Sequence, residues 1–116
     1  RTSRANRSRQ RVAGRGEEHA ELLLERAGYT IDDRQVTAHW TMWVDGAPQE
    51  VYCRADLIVS RRRRCYVAEV KTGDRAPDPT LPATRRQLLE YERAFEVDGL
   101  LLVDIPGERI REVAFR

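Results

Sequence analysis

The chain has 116 residues, of which 41% are hydrophobic and 34% are charged, with a net charge of +2 and two cysteines. This length predicts one domain with a hydrophobic core, and two cysteines are too few for the roughly four ligands of a structural zinc site or iron–sulfur cluster. No apolar run approaches the roughly 18 residues of a membrane span, and no apolar signal segment opens the sequence. We therefore expect a cytoplasmic protein without a membrane partner.

Basic residues are concentrated at the start of the chain. Six arginines and no acid lie within residues 1–16, so residues 17–116 hold 15 bases against 19 acids. We expect residues 1–14 to be a disordered basic arm, which either steers a polyanion towards the protein or is only solvated. Because the first residue is Arg1, we also expect the chain to be part of a larger parent protein.

The predicted order is a helix, three strands, a helix and two strands. Apolar spacing, β-branched and aromatic residues, and turn signals such as Asp45-Gly46 define these elements. They cover residues 17–27, 30–44, 51–60, 65–71, 81–97, 100–105 and 110–115. The helix between the third and fourth strands is a crossover, which predicts an α/β fold with a mixed sheet of about five strands flanked by helices.

Two acids and a lysine interrupt the apolar strands. Glu69 and Lys71 alternate on the third strand, so they share one face about 7 Å apart, and a hairpin can bring Asp56 beside them. Asp56, Glu69, the backbone carbonyl of Val70 and waters could complete a Mg²⁺ shell, with Mn²⁺ as a substitute. Lys71 would then orient or deprotonate a water, or stabilise charge at phosphorus. The alternative is an ordinary Glu69–Lys71 ion pair on an exposed strand edge.

The pattern Asp56…Glu69-Val70-Lys71 resembles the signature of the PD-(D/E)XK nuclease superfamily, although Ala55 replaces the proline that often precedes the first acid. The common core of that superfamily has the element order αβββαβ, which matches most of residues 15–105. The resemblance implies a restriction-endonuclease-like fold, with residues 15–116 as a single nuclease domain. It also implies a Mg²⁺-dependent deoxyribonuclease that hydrolyses phosphodiester bonds, with roles in DNA repair and recombination.

Two further segments extend the resemblance. Glu17 is similar to the first-helix glutamate that reaches the metal in this superfamily, and it is preferred to Glu18 because it lies on the helical stripe of Ala20, Leu24 and Ala27. A helix-start acid favoured by the helix dipole would explain either glutamate equally. Gln87-Leu88-Leu89-Glu90-Tyr91 resembles the Gln-x-x-x-Tyr motif of the RecB-like and lambda-exonuclease-like branch. That motif implies that Gln87 holds a water or a phosphate oxygen and that Tyr91 contacts the strand backbone. The alternatives are a Thr84-x-x-Gln87 capping box and a core position for Tyr91.

Basic residues outside these motifs are candidates for phosphate contact. The predicted nucleic-acid-binding residues are Arg15, Arg61, Arg62, Arg63 and Arg64, and a merely solvated turn is the alternative for the last four. Two other functions stay open. One is a non-catalytic nucleic-acid-binding or assembly module of the same fold, and the other is a Holliday-junction-resolvase-like endonuclease acting as a homodimer. Exonuclease or endonuclease action, polarity, and DNA against RNA also stay open.

Overall fold

The computed structural model describes residues 15–74 and 78–116, so the predicted arm over residues 1–14 lies outside it. The fold is mixed α/β, with two helices and a five-stranded mixed sheet, which confirms the predicted class. In chain order the elements are α1 (Arg15–Arg26), β1 (Thr30–Val44), β2 (Ala47–Arg61), β3 (Arg64–Lys71), α2 (Pro82–Ala94), β4 (Gly99–Asp104) and β5 (Arg109–Val113). Within these described ranges, neither helix is long and apolar enough to cross a membrane.

The strands lie side by side in their sequence order, β1-β2-β3-β4-β5. Three neighbouring pairs are antiparallel, and β3 pairs with β4 in parallel, with Lys71 facing Asp104 at their carboxyl ends. Helix α2 occupies the connection between β3 and β4, as a parallel pair requires. The predicted order of elements is therefore the observed one.

Both faces of the sheet are covered, which is why strand β4 is apolar without alternation. On one face, α2 packs its buried residues Leu88 and Tyr91 against β1, β2 and β3. On the other face, α1 packs Ala20 and Leu24 against β2, β3 and β4. Ala27 follows Ala20 and Leu24 at helical spacing, but it is exposed because α1 ends at Arg26.

Two-residue turns join β1 to β2 and β2 to β3. Asp45 and Gly46 both have positive φ, 50° and 81°, as the predicted hairpin turn requires. Strand β2 begins at Ala47 rather than at residue 51, so β1 and β2 pair along their whole length, whereas β2 pairs with β3 only from Leu57 onwards. Residues 37–54 therefore form a two-stranded hairpin arm that extends beyond the part of the sheet paired with β3.

The predicted ends of α2 differ from the observed ones. The helix begins at Pro82, and its N-cap residue Leu81 makes no side-chain cap bond. Thr84 lies inside the helix, so the capping-box alternative is wrong. The helix ends at Ala94 rather than at residue 97 because Phe95 turns to extended backbone, with φ −112° and ψ 143°.

The aromatic and thiol side chains of the hairpin arm divide between core and solvent. Trp40 packs partly buried against the core, while Trp43 is 65% exposed, as expected for opposite faces of one strand. Cys53 of this arm is free and partly buried, as is Cys65 on β3. Burial raises the pKa of the Cys53 thiol to about 12, so this side chain acts as a small apolar group.

Candidate active site

Asp56 and Glu69 lie at the point where the pairing between β2 and β3 ends. The last paired position on this side is Leu57 with Ala68, so Asp56 and Glu69 are the next residues on the two strands. Just beyond that pair, the backbone N–H of Val70 donates to Asp56 Oδ2 at 2.8 Å. We term this site, built from Asp56, Glu69 and Lys71, the fork.

Glu69 and Lys71 lie on the face of β3 that packs against α2, together with Val67, as strand alternation predicts. Four side chains close a ring there. Lys71 Nζ donates to Gln87 Oε1 at 2.8 Å, and Gln87 Nε2 donates to the Tyr91 hydroxyl at 3.1 Å. Tyr91 Oη lies 2.6 Å from Glu69 Oε1, and Lys71 Nζ lies 3.4 Å from Glu69 Oε2.

The Tyr91 hydroxyl also connects α2 to the hairpin arm. It lies 2.9 Å from the backbone carbonyl of Arg54 on β2. The ring of Tyr91 is 2% exposed, so the core alternative describes the same residue equally well. Spacing of four along the helix brings Gln87 and Tyr91 to one face, as expected.

Glu69 has a raised pKa for a carboxyl group. Burial, followed by the neighbouring charge of Asp56, raises its pKa from 4.5 to about 7, and hydrogen bonds from Tyr91 and Lys71 offset only part of this effect. The residue is 5% exposed, so little water is present to stabilise the anion. A cation at the fork would favour the ionised form.

This raised pKa predicts a pH-dependent stability. The folded protein holds the Glu69 proton more tightly than the unfolded chain, so the stabilising contribution is fully present below about pH 4.5 and is lost as pH rises towards about 7. Glu69→Gln should remove this decline. In EDTA at pH 8, we expect that variant to be more stable than the parent by on the order of 3 kcal/mol. Urea unfolding at pH 5 and pH 8 measures the difference, and an unchanged pH slope would contradict it.

Glu17 stands on the opposite side of β1 and β2 from the ring. Its Oε2 accepts a hydrogen bond of 2.6 Å from Nε2 of Gln35, a residue of β1 that the sequence analysis missed. Within residues 15–74 and 78–116, no three acid, histidine or cysteine side chains lie close enough to hold a metal ion. The structure thus joins Asp56 with Glu69 but leaves Glu17 outside that pair, and Val70 contacts Asp56 through its N–H.

The arginine turn lies at the far end of β3 from Lys71. Arg61 donates from Nη1 to the carbonyl of Ala27 at 2.9 Å, and its guanidinium lies 4.1 Å from the centroid of the Tyr29 ring. Arg62 and Arg63 are exposed in the turn itself. Phosphate contact by this turn would therefore occur away from the fork, and the side chain of Arg15 falls outside the described residues.

Lys71 also stands out in the composition of the chain. It is the single lysine in a chain with 20 arginines. A lysine ammonium is a compact point charge that can lose its proton when its surroundings favour it, whereas arginine stays charged. A lysine at this one position, in a chain that otherwise uses arginine, indicates that the site requires a compact ammonium group.

A comparison with known proteins returns neither a matching family model nor a matching curated protein. The resemblance to PD-(D/E)XK nucleases therefore stays a prediction from the motif residues and the order of elements. The chemistry of the fork is the remaining guide to function.

Proposed function

We propose that this protein is a divalent-ion-dependent deoxyribonuclease with a restriction-endonuclease-like core, related to the PD-(D/E)XK superfamily. The observation that carries the proposal is the fork. Two carboxylates on neighbouring strands meet there, and one of them is fixed in a ring with the single lysine and the Gln87–Tyr91 pair. In an ordinary exposed ion pair Glu69 would be accessible to solvent, whereas here it is buried.

The donor atoms at the fork suit Mg²⁺. That ion commonly binds proteins through one or two carboxylates and keeps several of its waters, so Asp56 and Glu69 would suffice as protein ligands. Burial and then repulsion from Asp56 raise the pKa of Glu69, and a divalent cation would relieve the repulsion between the two carboxylates. When bound, the ion would supply an acidified water and neutralise phosphate oxygens.

The remaining residues of the ring have distinct tasks in this proposal. Lys71 places a positive charge beside Glu69, where it can orient a water or stabilise charge that develops at phosphorus. Gln87 accepts from Lys71 and donates to Tyr91, so the amide fixes the position of the ammonium group. Tyr91 holds Glu69 and excludes water from behind it.

A groove between α2 and the hairpin arm offers an approach for the nucleic acid. A cavity of about 380 Å³ there is lined by Trp40, Arg86, Leu89, Glu90 and Arg93. Arg86 and Arg93 are exposed, and Arg86 immediately precedes Gln87. Guanidinium groups bind phosphates well, so we propose this groove as a phosphate-contacting surface nearer to the fork than the Arg61–Arg64 turn.

One observation favours a second candidate. Glu17 stands apart from Asp56 and Glu69, so the described residues provide two clustered acids rather than three. A nucleic-acid-binding or assembly module of the same fold, without catalysis, would tolerate that arrangement. The two candidates differ in whether bound DNA is cut.

The test is incubation of the protein with circular single-stranded, linear double-stranded and branched DNA, each with Mg²⁺, Mn²⁺ or EDTA. We expect cleavage of at least one substrate with either ion and none in EDTA, because activation of water depends on the cation. Circular substrate separates endonuclease from exonuclease action. Binding of DNA without cleavage under all conditions would refute the nuclease and favour the non-catalytic module.

A further inference from the structure

The groove between α2 and the hairpin arm combines an apolar lining with positive charge at both ends. Trp40 of β1 and Leu89 of α2 line its cavity of about 380 Å³ together with Arg86 and Arg93. The three α2 residues recur at i, i+3 and i+7, so they share one face of the helix, and the two arginines lie about 10 Å apart along its axis. Leu89 stands between them and is 42% exposed.

The indole of Trp40 is held in place on several sides. Its Nε1 donates to Glu90 Oε2 at 3.3 Å, and the guanidinium of Arg93 lies 5.6 Å from the ring centroid. Part of the ring also packs against the core under α2. The aromatic surface is therefore ordered in the free protein, which lowers the entropic cost of binding a ligand there.

This combination fits a nucleotide better than a phosphate alone. Guanidinium groups bind phosphates without needing an apolar surface beside them. A nucleobase has flat faces that stack on aromatic rings and on guanidinium planes, and it is joined to a phosphate on either side. Bases inside an intact duplex are stacked and paired, so they would have to leave the stack to enter such a cavity.

The groove lies within a few nucleotides of the fork. Trp40 is four residues along β1 from Val36, which pairs with Ala55, the neighbour of Asp56. Four residues of a strand span about 13 Å, and a stacked nucleic-acid strand covers that distance in about four nucleotides. One DNA strand could therefore contact the groove and the fork together.

We propose that this groove is a nucleobase-binding subsite, in which one unpaired base lies between Trp40 and Leu89. Arg86 and Arg93 contact the phosphates on either side of that base. The inference rests on the proposed function, because it takes DNA as the ligand. It identifies the substrate as DNA with unpaired nucleotides close to the cleaved bond.

The experiment compares Trp40→Leu with the matched control Trp43→Leu, which changes the 65% exposed tryptophan on the opposite face of the arm. Binding of the full chain in EDTA is measured by fluorescence anisotropy, with a labelled single-stranded thymidine oligonucleotide and an abasic strand of the same length. Trp40→Leu should weaken binding of the thymidine strand about tenfold, the scale of one lost stacking contact, and leave the abasic strand nearly unchanged. The control should alter neither affinity.

Two further variants separate base contact from phosphate contact. Leu89→Gln alters an exposed side chain, so it should spare the core and weaken binding of the thymidine strand alone. Arg86→Gln should weaken both strands alike, because phosphate contacts carry no information about the base. Thermal unfolding of every variant verifies that it is folded at the temperature of the titration.

Equal losses on the two strands in Trp40→Leu and Leu89→Gln, or no loss on the thymidine strand, would overturn the inference and leave the nuclease proposal intact. A parent protein that binds neither strand would overturn it as well. Cleavage with Mg²⁺ is assayed separately. A protein that binds through the base but never cuts DNA would refute the nuclease and retain the subsite.

Discussion

Asp56→Asn is expected to abolish DNA cleavage, lowering the single-turnover rate with Mg²⁺ by at least about a thousandfold. Asparagine keeps the shape of the side chain and can still accept the hydrogen bond from the Val70 N–H, so the fork should stay closed. The change removes a negative charge that would hold the cation. DNA binding should persist or increase in EDTA, because one source of repulsion with the phosphates is gone.

Asp98→Asn provides a matched control for this variant. Asp98 Oδ2 also accepts a bond of 2.8 Å from a strand N–H, that of Cys65, but it does so near the start of β3, away from the fork. We expect this control to cleave at the parental rate. If Asp56→Asn retains parental cleavage with Mg²⁺, or if both variants lose activity equally, the fork is not the active site.

Lys71→Met should lower the cleavage rate about a hundredfold or more, the scale expected when a proton-transfer or charge-stabilising group is removed. Methionine retains an unbranched stem but lacks the ammonium that donates to Gln87 and lies beside Glu69. Calorimetric titration should show that Mn²⁺ still binds, because Lys71 is not a ligand. Lys71→Arg should also be impaired, since a planar guanidinium does not replace a compact ammonium in the ring.

Arg109→Met is the control for charge at the same end of the sheet. Arg109 Nε on β5 lies 3.1 Å from Asp104 Oδ2 on β4, the strand next to β3. The change removes one positive charge and leaves the four side chains of the ring intact. We expect this variant to stay within a fewfold of the parental rate. Parental activity in Lys71→Met would exclude the proposed role of the lysine, and loss of Mn²⁺ binding would indicate a collapsed site instead.

Local geometry explains why much of the fork, and of the ring that includes Gln87 and Tyr91, could be predicted from the sequence. Strand alternation alone places Glu69 and Lys71 on one face, and helical spacing alone places Gln87 and Tyr91 on one face. A two-residue hairpin then brings β2 alongside β3. The nuclease assignment itself remains a proposal, since it concerns chemistry that neither alternation nor spacing determines.

Other features depend on tertiary fit and have no local signal. Gln35 has a φ of 50°, yet glutamine is an unremarkable residue for a half-buried strand, so nothing near it in sequence predicts this left-handed backbone. The end of α2 at Ala94 follows from the packing of Phe95 into the core, although helical periodicity continues beyond it. The contacts of Arg61 with Tyr29 and Ala27 join elements that are distant along the chain.

The parallel pairing of β3 with β4 has a consequence for folding kinetics. Strands β1, β2 and β3 are joined by two-residue turns, so they can pair early, whereas β4 reaches β3 only after the crossover over residues 72–98 has closed. Docking of α2 belongs to that later step. With that order of events, Asp56 and Glu69 would become neighbours while both still face water, and the desolvation of Glu69 would oppose only the later packing of Tyr91. Closure of this ring should be among the last events in folding, and its opening among the first in unfolding.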